Sequence, residues 1–200
     1  MASQNGYPEI ASILLQNGAD PLATTKSGKT ALSAAVSSGH VKVAEILLRT
    51  EPILINTIDM GGSTCLMRAS ENASANKNGP TMVELLIRSG VSIHAIDTNG
   101  QTALDRLCAT SGNVRAAQVL IKAGAEIRME PTRKRPMTHL MVSAMNGHKE
   151  LCRELMEKHG MDPRIKNDRG WDALKYAECS GHVGAAKIIE ERIDTLIAIK

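Results

Sequence analysis

The stretch TALDRLCATSGN, Thr102 to Asn113, with QVLIKAG, Gln118 to Gly124, decides the fold, because both parts return along the chain. The first recurs as TALSAAVSSGH from Thr30, TCLMRAS from Thr64, THLMVSAMNGH from Thr138 and DALKYAECSGH from Asp172, with starts 34, 38, 36 and 34 residues apart. A second apolar run follows each copy: EILLRT, ELLIRSG, QVLIKAG, ELMEKHG and KIIEER. One more copy of the second part, ASILLQNGAD, opens the chain with no first part before it.

The unit has a direct physical reading. Thr30, Thr64, Thr102, Thr138 and Asp172 carry side-chain oxygens that accept from the free N–H groups of a first helical turn, so a helix starts at each. Leu32, Leu66, Leu104, Leu140 and Leu174, with Ala35, Ala69, Leu107, Ser143 and Ala177 one turn on, place a close-packing stripe on one face. Gly39, Gly112, Gly147 and Gly181 allow the left-handed conformation that ends a helix. A second helix then runs to Gly18, Gly90, Gly124 or Gly160. Two short antiparallel helices cannot bury both apolar faces, so at least about three units must stack.

The segments Asp59-Met60-Gly61-Gly62-Ser63-Thr64 and Asp97-Thr98-Asn99-Gly100-Gln101-Thr102, with Leu14-Leu15-Gln16-Asn17-Gly18-Ala19-Asp20, resemble the ankyrin repeat. The resemblance covers essentially the whole chain. It implies an all-α solenoid of stacked helix-turn-helix units with β-hairpin fingers, as one domain over residues 1–200. A half repeat (1–25) is followed by repeats at about 26–58, 59–96, 97–132, 133–166 and 167–200. The family's Pro is replaced by Ala31, Cys65, Ala103, His139 and Ala173, and its His by Ser33, Met67, Asp105, Met141 and Lys175. These departures lower the expected stability of each repeat and leave the fold intact.

Composition agrees. There is no Phe, one Trp and two Tyr, so the interior must be made of Leu, Ile, Val, Ala and Met, which suits thin stacked layers. A net charge of +3, with bases and acids interleaved, does not by itself indicate nucleic acid or membrane. Cys65, Cys108, Cys152 and Cys179 form no C-x-x-C pair and read as structural thiols in a reducing compartment. MASQNGYPE lacks the charged and apolar regions of a signal peptide, and no run approaches the ~20 apolar residues that span a bilayer. The reading is cytoplasmic or nuclear, without membrane contact, and Asn72-Ala73-Ser74 is then a chance glycosylation match.

Three segments break the repeat. Glu71 to Pro80 inserts about five polar residues between two helices and reads as a surface loop, with Pro80 suited to a first helical turn. Arg128 to Met137 replaces the Asp and Gly of a finger with Arg133 and Pro136, so if the turn made by glycine in the other fingers needs positive φ, it cannot be copied there. The last helix passes its expected stop and runs on as KIIEERIDTLIAIK. Its apolar positions Ile188, Ile189, Ile193, Leu196 and Ile197 read as a buried end-cap face, the alternative being self-association through this helix. At the other end Ile10, Ile13 and Leu14 lack an intra-repeat partner, as in a fragment of a longer array or an end covered by something else.

No phosphate loop, H-E-x-x-H or activated nucleophile is present, and no cofactor is called for, so the chain reads as a non-enzyme. His40, His148 and His182 each follow a glycine and read as turn residues. A binding role needs only the concave wall of fingers and first helices that the resemblance implies. Its candidates are Lys26, Lys29, Met60, Asn99, Gln101, Arg133, Lys134, Arg135, Met137, Met145, Asn146, Asp168, Arg169 and Trp171. Trp171 follows Gly170 at an outward position and is either a binding hot spot or packed on a neighbouring finger. Arg128, Arg133, Lys134, Arg135, Arg164, Lys166 and Arg169 make the fourth and fifth fingers basic, to which an acidic or phosphorylated segment of another protein is the natural complement. Two other readings stay open: the regulatory or substrate-recruiting arm of a larger enzyme, and nucleic-acid binding. Against the latter, base-stacking aromatics are missing apart from Trp171.

Overall fold

The computed structural model describes residues 1–198; Ile199 and Lys200, the end of the last repeat and of the expected long helix, lie outside the described residues. Twelve α-helices are found among them: α1 (Ala2–Asn5), α2 (Pro8–Gln16), α3 (Ala31–Ser37), α4 (Val41–Thr50), α5 (Cys65–Glu71), α6 (Gly79–Arg88), α7 (Ala103–Ala109), α8 (Val114–Lys122), α9 (His139–Met145), α10 (Lys149–Glu157), α11 (Ala173–Cys179) and α12 (Val183–Ala198). They form two layers: α1, α3, α5, α7, α9 and α11 pack in sequence along one, and α2, α4, α6, α8, α10 and α12 along the other.

Each inner helix starts where its cap residue lies. The side chains of Thr30, Thr64, Thr102, Thr138 and Asp172 accept from the amides of Ser33, Met67, Asp105, Met141 and Lys175 at 2.9–3.3 Å. Leu32, Leu66, Leu104 and Leu140 are fully buried between layers. The glycines that end these helices have positive φ, and at Gly112 the reason is also steric: a Cβ there would collide with the His148 ring. His40 and His182 lie in the same way against Gly6 and Gly147. The recurrent histidines therefore pack one helix turn onto its neighbour.

Three expectations change. Ala2–Asn5 is one turn of an inner helix, packed on α3, so the opening repeat has a remnant of its first half. Gly6 (φ 72°) ends it as Gly39 ends α3, and His40 Nε2 bonds the Gln4 carbonyl at 3.0 Å. Ile10, Ile13 and Leu14 nevertheless stay 47–57% exposed.

The fingers are tight turns rather than hairpins; the one isolated bridge among the described residues joins Ile58 and Thr64.

The Glu71–Pro80 insert is not a loose surface loop. It spans its neighbours on both sides: Asn76 Nδ2 donates to Ser37 O (3.2 Å), Ser74 Oγ to Ser111 O (2.7 Å), and Asn113 Nδ2 to Ala73 O (3.2 Å). Ala73 is fully buried, and Pro80 lies in the first turn of α6, as expected.

In α12, Ile189 is buried while Ile188, Ile193 and Leu196 are half-buried, the helix packing on α10 and α11. This describes an end-cap face; among the tail positions named, Ile197 alone is exposed.

Candidate functional site

Four fingers share one wiring. The amides of Thr25, Asp59, Asp97 and Asn167 donate to the carbonyls of Lys29, Ser63, Gln101 and Trp171 (3.0–3.1 Å), and those of Gly28, Gly62, Gly100 and Gly170 return to the first residue (2.8–2.9 Å). The side chain at the first position locks the turn: Asp97 Oδ1 accepts from the amides of Asn99 (2.8 Å) and Gln101 (2.9 Å). The glycine sits at φ 70–76° in all four.

Neighbouring fingers are tied by backbone. Met60 N donates to Ser27 O and Thr98 N to Gly61 O, both at 3.2 Å. The fourth finger leaves this series. Pro136 stands at the glycine position, and a proline φ near −65° cannot supply the left-handed turn. Thr132 and Arg135 instead exchange backbone bonds with each other (2.8 and 3.1 Å).

Under the fingers, the inner helices carry a partner nine residues on. Arg68 pairs with Asp59, and Arg106 with Asp97; Glu71 bridges both arginines. Burial alone would raise the Asp97 carboxyl, but the Gln101 and Asn99 amides and the Arg106 guanidinium hold it below the usual range. In the fifth repeat Asn167 takes the place of the acid and Tyr176 that of the base, the Asn167 amide donating to the Tyr176 hydroxyl at 2.8 Å.

The fourth repeat is anchored differently. Asp105 binds the amide of its cap residue Thr102 (2.9 Å), Arg128, Arg135 (3.3 Å) and His139 (2.9 Å). Because His139 Nδ1 accepts from the Arg128 amide (2.8 Å), its Nε2 carries the hydrogen donated to Asp105. Burial, with Arg128 and Arg135 beside it, pushes His139 down to about 3. Arg128 is itself pushed down to about 10 by burial and by Arg135.

Of the predicted wall residues, Lys26, Lys29, Met60, Asn99, Arg133, Lys134, Asp168 and Arg169 are exposed, while Gln101, Arg135, Met137, Met145, Asn146 and Trp171 are partly buried. Asn99, Gln101, Lys134, Arg135 and Met137 come together around an open groove of about 480 Å³, floored by Ile96, Ala109 and Val142. Lys26, Lys29 and Met60 belong to the first two fingers, and Asp168, Arg169 and Trp171 to the fifth, outside this groove.

Trp171 is half-buried. It stands edge-on to Tyr176 with ring centroids 5.2 Å apart, and its amide bonds Asn167 Oδ1 at 3.0 Å. The basic cluster is also thinner than its composition: Arg128 and Arg135 serve Asp105, and Arg164 holds Asp162 (2.7 Å). Arg133, Lys134, Lys166 and Arg169 are exposed with no ion pair among the described residues. Sequence reasoning missed Arg68, Arg106 and Tyr176. The available signal was their fixed offset from the finger residue they hold.

Among the described residues no group of three or more His, Cys, Asp or Glu could hold a metal ion, and no helix is long and apolar enough to cross a membrane. Cys65, Cys108 and Cys152 are buried, which pushes each thiol up to about 12.

The family description that matches is "Ankyrin repeats (3 copies)", over residues 1–97 and 107–197. The E3 ubiquitin-protein ligase KEG of Arabidopsis thaliana is 28% identical over 96% of this chain, the alignment covering 12% of that protein. Neurogenic locus notch homolog protein 1 of Homo sapiens is 33% identical over 67% of the chain and 5% of its own length. L-asparaginase of Dirofilaria immitis is 26% identical over 88% of the chain and 28% of its own length. The chain thus spans a minor part of each of these relatives.

Proposed function

This chain belongs to the ankyrin-repeat family, and from that premise we propose that it is a non-catalytic scaffold or adaptor that holds an acidic segment of a partner protein on its finger surface. The groove beside the fourth finger is the centre of that surface. One observation carries the choice: Arg133 and Lys134 stand exposed, without ion pairs among the described residues, beside an apolar groove. The early wall is less suited, because Arg68, Glu71, Arg106, Asp59 and Asp97 already satisfy one another there. Trp171 supports the fifth finger in this reading. Three buried, unpaired thiols suit the reducing cytoplasm or nucleus.

The experiment is partner capture on the immobilised full chain, read by mass spectrometry, with Arg133→Glu/Lys134→Glu beside the wild type and Lys26→Glu/Lys29→Glu as control. Each late-finger reversal should weaken capture by about 1 kcal/mol or more, roughly fivefold. Equal loss in the control, or none in the late pair, would overturn the reading. A second reading, the substrate-recruiting arm of a larger enzyme, is favoured by the small share of the Arabidopsis thaliana ligase that aligns with this chain.

A further inference from the structure

The backbone ties between fingers follow one rule: the residue after the first position of each finger donates to the residue before the glycine of the finger preceding it. Met60 meets Ser27 in this way, and Thr98 meets Gly61. By the same register Lys134 N belongs to Asn99 O, and Asp168 N to Arg135 O. Neither bond is made. Arg135 O accepts from Thr132 N instead, and among the described residues Asn99 O accepts no hydrogen bond and Asp168 N donates none.

The steric record agrees. A Cβ at Gly28 or Gly62 would lie 3.2 Å from the amide nitrogen of the next finger, whereas one at Gly100 would have nothing within 4 Å. No neighbouring finger backbone therefore covers Gly100: the Arg135 guanidinium donates to its carbonyl instead, and the 480 Å³ groove lies along this open finger slot. One wall of the slot offers the Asn99 carbonyl; the other carries the exposed Lys134, with the exposed Arg133 next to it in the chain.

We infer that this slot is a docking site for one acidic tight-turn segment of a partner protein, which takes the missing finger's place against Gly100 and donates a backbone amide to the Asn99 carbonyl. The inference rests on the proposed reading of the chain as a protein-binding module and names what its groove receives. Main-chain bonding at an open edge gives affinity with little dependence on side chains, and the cations select for acid. Pro136 is then the residue that keeps the slot open, since it prevents the chain from filling it with its own turn.

The probe is a cyclic peptide of sequence Glu-Asp-Thr-Asn-Gly-Gln-Glu, a turn of the third finger's type with added acids, titrated into isotope-labelled full chain. The expected result is a saturable shift of the Asn99 carbonyl carbon and of the Gly100 and Asp168 amides. The double variant Arg133→Asn/Pro136→Gly restores the turn residues of the fifth finger and lets the chain occupy its own slot. It should bind the peptide about tenfold more weakly than Arg133→Asn alone. Shifts confined to the first two fingers, or no saturable shift at millimolar peptide, overturn the inference, as does equal binding by the double and single variants. Shifts at Asn99 and Gly100 that follow protein concentration without peptide make a second copy the occupant and overturn it too. If reversal of Arg133 and Lys134 abolishes partner capture but the rebuilt finger leaves it intact, the acidic-partner reading stands and the slot falls. If neither changes capture, both fall.

Discussion

His139 Nε2 lies 2.9 Å from Asp105 Oδ1, across 34 residues of sequence, and this bond sets a neutral imidazole inside the third and fourth repeats. The His139 ring is 2% exposed and is pushed down to about 3 by burial and by the Arg128 and Arg135 guanidiniums, against an ordinary value of 6.5. Between pH 6.5 and 3 the unfolded chain therefore binds a proton that the folded chain refuses. Stability must fall as pH falls through that window, by about 1.4 kcal/mol per pH unit per proton. His148 is also held down, by burial and by His182, and acts with the same sign. Chemical denaturation between pH 7 and pH 4.5 should show this loss. In His139→Gln the dependence should be shallower by nearly one proton, although the variant is less stable at pH 7. An unchanged slope would mean that His139 is protonated in the fold.

Arg106 closes a charge network over a carboxylate that solvent does not reach, the Asp97 side chain being 0% exposed. Removing Arg106 leaves that charge uncompensated, so Arg106→Ala should cost about 3–5 kcal/mol. Lys26→Ala, on an exposed finger position, should stay within about 0.5 kcal/mol of wild type. Thermal or urea unfolding of the two variants makes the comparison.

Gly79 begins α6 with its α-carbon against the Ala73 backbone, where a Cβ would collide with the Ala73 carbonyl oxygen and α-carbon. The insert cannot yield freely, because Asn76, Ser74 and Asn113 tie it to both neighbours. Gly79→Ala should therefore destabilise by roughly 1–3 kcal/mol, in the range of an overpacked core. The sign is the opposite of what helix propensity alone gives for Gly→Ala. A stabilised variant in differential scanning calorimetry would refute this packing.

The four thiols should divide three to one. Cys65, Cys108 and Cys152 are buried and their thiols are pushed up to about 12, whereas Cys179 is exposed. A thiolate-selective reagent at pH 8 should modify one cysteine per folded chain and the other three only on unfolding. Peptide mapping identifies the residue; fast labelling of any of the buried three would contradict their placement.

The fold was legible because its signals are local and repeated. Thr30, Thr64, Thr102, Thr138 and Asp172 cap helices using groups three residues away, and Gly39, Gly112, Gly147 and Gly181 end them through their own φ. Pro136 likewise announced a broken finger from its own ring geometry. The site was legible only in outline. Trp171 follows a glycine and reads as either a hot spot or a packed ring; its edge contact with Tyr176, five residues on in the next helix, is visible only in the fold. The one-turn helix before Gly6 was overlooked because four residues are too few to show a period.

The sequence alone thus determined the paired helices of each full repeat, how often they recur, and where the array departs from its rule, since caps, stops and apolar spacing act within a turn or two of the chain. Only the tertiary structure decided which charges are free and which backbone groups are left without a mate. Arg128 and Arg135 look like binding residues until Asp105, 23 and 30 positions earlier, engages them. Asn99 becomes distinctive only when the finger that should cover it is seen to turn away. Such pairings depend on distances between successive repeats, which close when the solenoid stacks and leave no mark on the composition of either partner.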